Sequence, residues 1–124
     1  MPFMLVRLEC KYGKTQEFQE IMSHLVPVLE KNGWRLHGAY QNSIGRLNRC
    51  YDLWEMPDAN AVRSVLEVAG KDPEFSEWSK GLGDCLEEEE LEFMTELPYS
   101  ILARERCVFF YVCARTEIFT PAGE

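Results

Sequence analysis

Asp52 stands in the stretch Ser43–Met56, SIGRLNRCYDLWEM, where a glycine-containing turn and an Asn lead into a strand carrying Tyr51, Asp52 and Trp54. A carboxylate set among aromatic residues can accept a ligand's donor or take up a proton, because desolvation moves its pKa toward the neutral range where a general base works best. Strand alternation sets Cys50, Asp52, Trp54 and Met56 opposite Arg49, Tyr51, Leu53 and Glu55. On a covered face the Asp52 carboxylate must be hydrogen-bonded, paired with a cation such as Arg63 or Arg49, or functional. His37 and His24 are the only histidines. His37, on a strand, is the second catalytic candidate, while His24 sits beside a helical stripe and reads as surface. Tyr40, Asn48, Tyr51, Trp54, Arg63 and Trp78 complete the expected substrate-binding set. Each also has a plainer reading: Trp54 and Trp78 as core filling, Asn48 as a turn residue.

Other chemistries find no support. No G-x-S-x-G surrounds a serine, and two histidines with dispersed carboxylates make no metal centre. The acidic run Glu87–Glu90 lacks the alternating ligands and turn glycine of a calcium loop and reads as a solvated helix-to-strand junction. Neither a metal nor a cofactor is therefore expected. A formal net charge of -8 opposes binding to nucleic acid and to anionic membranes, both of which need fields of Lys and Arg. The five cysteines, Cys10, Cys50, Cys85, Cys107 and Cys113, are odd in number and form no CxxC pair. They read as reduced, packed thiols in a cytoplasmic protein. Residues 1–10 lack the pattern of a signal peptide, and no apolar run approaches the ~18 residues of a membrane span.

The elements that must position Asp52 follow from periodicity. With 124 residues, 46% of them hydrophobic, the chain can fill one core. Residues 3–12 alternate as a first strand, with Met4, Val6, Leu8 and Cys10 on one face. A helix over 15–32 follows, capped by Thr15, striped by Phe18, Ile21, Met22, Leu25, Val28 and Leu29, kinked near Ser23 by Pro27 and stopped by Gly33. Residues 34–42 form a second strand, with Trp34, Leu36, Gly38 and Tyr40 on one face and Arg35, His37, Ala39 and Gln41 on the other. Residues 48–56 form a third, in a hairpin with the second. Asp58 opens a helix ended by Gly70, and Asp72, Pro73 and Glu74 restart one that carries Phe75, Trp78, Leu82 and Cys85. A fourth strand covers 91–97. Val108–Ala114, VFFYVCA, reads as a fifth.

The order β-α-β, β-α-β predicts an α+β fold, a ferredoxin-like βαββαβ antiparallel sheet with helices on one face. Its other face is apolar or aromatic enough to need a cover, which a second copy would supply, so a homodimer is expected.

Several short pieces strengthen this. Gly13-Lys14 precedes the first helix, Gly38 and Tyr40 form G-x-aromatic, Gly45 to Asn48 read G-x-L-N, and Leu53-Trp54, Arg63, Asp72-Pro73 and Leu97 to Ser100 follow in order. In these features residues 4–100 resemble the NIPSNAP proteins of the dimeric α/β barrel superfamily. Val6 stands where that family often has Arg, Asp52 stands where it commonly has His before the L-W pair, and Phe75 and Trp78 exchange the order of its aromatics. The resemblance implies a dimeric barrel domain over 1–100, with 101–124 a C-terminal extension that adds a strand to the sheet or the partner. It also implies a ligand site between sheet and helices. Superfamily relatives include cofactor-free monooxygenases, polyketide cyclases, heme-degrading enzymes and dehydratases, while some NIPSNAP proteins are mitochondrial adaptors. The expected function is binding, or cofactor-free conversion, of an apolar aromatic or polyketide-like small molecule in a pocket lined by Tyr40, Asp52, Trp54 and Trp78. The alternative is a non-catalytic adaptor or scaffold.

Overall fold

The computed structural model describes residues 2–101 and 103–105. The expected fifth strand at 108–114, with Cys107 and Cys113, lies outside them. The chain divides after Met94 into two compact units. The first runs β1 (Phe3–Cys10), α1 (Thr15–Lys31), β2 (Arg35–Gln41), β3 (Arg49–Glu55), α2 (Asn60–Ala69), α3 (Pro73–Ser79), α4 (Leu82–Cys85) and β4 (Leu86–Met94). In the second unit residues 101 and 103–105 are helical. Ser100 heads them, its Oγ accepting from Ala103 N at 3.3 Å and donating to Glu96 Oε2 at 2.9 Å.

The four strands are antiparallel in the order β2-β3-β1-β4, the ferredoxin-like arrangement. Met4, Val6, Leu8 and Cys10 of β1 and Cys50, Trp54 and Met56 from the third strand and its end turn to one face. There they close a core with Phe18, Ile21, Leu25, Val28 and Leu29 of α1, Ala61, Val65 and Ala69 of α2, and Phe75 of α3. Trp34 enters this core edge-on to Trp54, ring centroids 5.2 Å apart, and its Nε1 donates to Ala61 O at 2.9 Å. A buried indole N–H without such a partner would be costly, so the bond ties the start of β2 to α2.

Local signals explain most boundaries. α1 continues through Pro27 to Lys31. Its end is a Schellman motif, in which Trp34 N donates to Leu29 O and Gly33 N to Glu30 O, with Gly33 at φ +114° supplying the left-handed turn. Asp72 caps α3 by accepting from Glu74 N and Phe75 N, with Pro73 in the first turn. Asp58 accepts from Ala61 N at the start of α2. Thr15 departs from expectation: it is the first helical residue, and α1 has no side-chain cap.

Two larger departures reshape the sheet. β4 begins at Leu86, not near residue 91, so the run Glu87–Glu90 is strand rather than junction. It pairs with β1 in the register Leu8↔Glu89 and Arg7↔Glu90, and Arg7 Nη2 donates to Glu90 Oε2. On an edge strand these side chains stay in water, which tolerates acids and discourages edge-to-edge pairing. The second departure is a bulge in β2. Leu36 pairs with Trp54 but Gly38 with Leu53, leaving His37 as the extra residue. The alternation therefore inverts beyond it: Ala39 and Gln41 share the helix-facing side with Asp52 and Cys50, and Tyr40 faces away with Tyr51. A Cβ at Gly38 would meet the Tyr40 ring at 2.6 Å, so a larger residue there would have to displace that exposed ring.

Candidate functional site

Asp52 lies at the middle of β3, opposite Val6 on one side and Ala39 on the other, and is 5% exposed. Two cavities meet at it. One, of about 420 Å³, is a cleft between α1 and the β2–β3 hairpin, walled by Phe18, Met22, Val26, Leu36 and Cys50. Gln19 and Gln41, exposed and 3.3 Å apart between side chains, stand at its rim. The other, of about 180 Å³, lies deeper between sheet and helices against Leu25, Trp34, Trp54 and Phe75, and Glu89 of β4 borders it. Cavities of this kind, mainly apolar with a few placed polar groups, are the usual form of small-molecule sites.

Among the described residues no cation lies within ion-pair distance of Asp52. Arg49 projects from the opposite face of the sheet and holds Glu9, Nε to Oε1 at 3.0 Å, and Arg63 is exposed on α2. The ion pair considered for Asp52 is thus absent, because alternation sends Arg49 to the other side. Burial pushes the Asp52 carboxyl up to about 6, and the nearby charge of Glu89 adds to the shift. At neutral pH the group is mostly ionised yet close to the pKa at which proton transfer is most effective.

The other expected site residues scatter. His37, at the bulge, lies on the far side of the sheet, its Nε2 2.5 Å from Glu55 Oε1 and its ring 5.3 Å from that of Phe3. It cannot work with Asp52. Tyr51 shares that far face beside Arg7 and Tyr40. Tyr40, 66% exposed, borders the cleft at the sheet edge. Trp54 walls the deeper cavity, while Trp78 lines neither cavity and stacks on His24, centroids 3.7 Å apart and planes 6° from parallel. His24 is consequently half-buried rather than plain surface, and it also meets Glu74 at 3.3 Å. Asn48 serves the hairpin through its main chain, accepting from Cys10 N at 2.8 Å; the side-chain turn bond is made by Asn42 to Arg46 O. So of the expected set only Asp52, Tyr40 and Trp54 border these cavities. Glu89 was missed, although it shares the strand phase of Leu91 and Phe93; Gln19 and Gln41 carried no signal in the sequence.

Thiol chemistry has no footing in the core. Cys10, Cys50 and Cys85 are free and buried, and burial raises all three, Cys10 up to about 12. Such thiols stay protonated and act as small apolar groups. Among the described residues no group of three or more His, Cys, Asp or Glu could hold a metal ion, and no helix is long and apolar enough to cross a membrane.

Comparison with known proteins agrees with this fold. No curated protein matches the chain in sequence. A NIPSNAP domain protein from Burkholderia xenovorans superposes with a TM-score of 0.69 at 21% identity, over 81% of this chain and 98% of its own. A NIPSNAP family protein of unknown function from Agrobacterium tumefaciens gives 0.73 at 16%, over 82% and 93%. SnoaB, a cofactor-independent oxygenase from Streptomyces nogalater, gives 0.61 at 16%, over 77% and 92%. At these identities the structures establish a shared fold; the family is set by sequence, since the NIPSNAP family profile matches residues 3–101. The chain belongs to the NIPSNAP family.

Proposed function

We propose that this NIPSNAP protein binds a small molecule with an apolar, aromatic body between α1 and the sheet, placing one donor group of that molecule at Asp52. The observation that carries this is a carboxylate 5% exposed, without a cation among the described residues, where two largely apolar cavities meet. An uncompensated buried carboxylate destabilises the fold, and such a residue is more readily explained by a ligand than by packing. Cofactor-free conversion is the enzymatic form of the same reading, with Asp52 as general base toward a hydroxyl or an activated C–H. The fold shared with a cofactor-independent oxygenase supports that form. Screening aromatic compounds by tryptophan emission is the test, because Trp34 and Trp54 wall the deeper cavity. Saturable quenching that disappears in Asp52→Asn is the expected result. A screen with no hits would favour the adaptor reading instead.

The sheet's other face supports a homodimer as the functional unit. Leu5, Tyr51 and Leu53 are half-buried there, and several of its charges are matched, Arg49 and Arg46 with Glu9, His37 with Glu55, Arg7 with Glu90, whereas Arg35, Glu88 and Glu92 toward the sheet's edges are in no ion pair among the described residues. Matched charges lower the cost of covering such a face. Light scattering on a size-exclusion column is expected to give twice the 14.4 kDa chain mass at micromolar protein. A monomer under those conditions would remove the dimer.

A further inference from the structure

We propose that the ligand of this pocket carries a cationic nitrogen, an amine or protonated heterocycle on an aromatic body, seated against Asp52. This rests on the small-molecule reading above and specifies its chemical class. The other two carboxylates buried among the described residues are paired, Glu9 with two arginines and Glu55 with His37. Among the described residues none sends a basic side chain into the cavities at Asp52. The titratable side chains that border them are Asp52 on β3, Glu89 on β4, Cys50 on β3 and Tyr40 on β2; α1, α2, α3, α4 and β1 contribute apolar residues and Gln19. Among the described residues, then, two acids face the space and no positive charge stands on its wall.

A neutral apolar occupant would strip the remaining water from Asp52 and leave the charge with nothing in exchange, so the carboxyl would have to protonate. A cation gives that charge a partner where the dielectric is low and the attraction strong. The surrounding rings add to this, since Trp, Tyr and Phe faces attract cations. Trp34, Trp54 and Phe75 line the deeper cavity and Phe18 the cleft. Glu89, more exposed, draws the cation inward.

The test uses the whole protein and a matched pair of probes, naphthylmethylamine and naphthylmethanol, which share a body and differ in charge. Tryptophan emission gives affinity, and calorimetry in two buffers of different ionisation enthalpy gives proton exchange. At about pH 8 the amine is expected to bind about ten-fold tighter than the alcohol, and the ratio to fall toward one in Asp52→Asn. It should also fall as pH drops through about 6, where Asp52 protonates and the amine stays charged. Near that pH the amine must release protons on binding, because a cation favours the ionised carboxylate. Equal affinity, or tighter binding of the alcohol, would overturn the cationic ligand while leaving the pocket. An amine preference that survives Asp52→Asn would also overturn it, because the net charge of -8 would then suffice. No binding of either probe would overturn both the cation and the pocket.

Discussion

Replacing Asp52 by Asn is expected to stabilise the protein at neutral pH, by up to about 3 kcal/mol, and to leave stability nearly unchanged at about pH 4. The sign follows from the raised pKa. Burial pushes the folded carboxyl up to about 6, whereas in the unfolded chain it has its ordinary value of 3.8. Below the unfolded pKa the group is protonated in both states and costs nothing. Between the two values the unfolded chain has released its proton while the folded chain has not, so stability falls as pH rises. Above about 6 both states are ionised and the loss stays constant. Asn keeps the shape and removes the titration, although its amide donors recover part of the penalty when left unpaired. Urea denaturation of both proteins from about pH 4 to pH 8 measures the difference directly. A variant less stable than the parent at pH 8 would show that Asp52 has a cationic partner after all.

That expected gain bears on function. A residue that weakens the fold at the pH where it is charged is not retained for packing, and trading stability for a site is how active and binding pockets commonly arise. The same variant that melts higher should lose ligand quenching. Greater stability with lost binding is a combination that a structural role cannot produce.

Much of this arrangement was legible in the residues, and what was not has physical reasons. The two βαβ units, the Asp72-Pro73 helix start and the Gly33 stop were visible because caps, proline and glycine act locally. Asp52 was visible because its alternation with Cys50 and Trp54 is unbroken across β3. The β2 faces were not, since one extra residue at His37 inverts every side chain after it, and only Gly38 inside a strand pattern hinted at the bulge. The start of β4 was hidden for another reason: four consecutive glutamates carry neither β-propensity nor alternation, and an edge position paired to β1 lets them be strand regardless. Both misreadings fall on the site. The bulge sends Tyr40 toward the far face and brings Ala39 and Gln41 to the Asp52 side, and the longer β4 supplies Glu89.

Truncating Trp54 to Ala should be the most damaging single change in the pocket wall, costing about 3–5 kcal/mol. Trp54 is 2% exposed, lies between Met4 and Leu36 in the sheet register, and meets Trp34 in an edge contact. Removing the indole deletes its apolar area and leaves a void that neighbours can fill only in part. Trp34 is bonded to Ala61 O and cannot swing into the space without losing that bond. Against a total stability of about 5–15 kcal/mol, such a loss would leave a substantial unfolded fraction in a domain at the low end. Trp78→Ala is the internal comparison. That indole is half-buried and stacked on His24 outside both cavities, so its loss should cost about 1 kcal/mol. Chemical denaturation followed by circular dichroism compares the two without relying on the deleted fluorophore. Equal costs would show that Trp54 is not a core residue, whereas the expected gap makes it both core and wall. Trp54→Phe then separates those roles: the ring keeps most of the volume and the fold, and a fall in affinity for aromatic ligands without a matching fall in stability would mark Trp54 as a contact to the bound molecule.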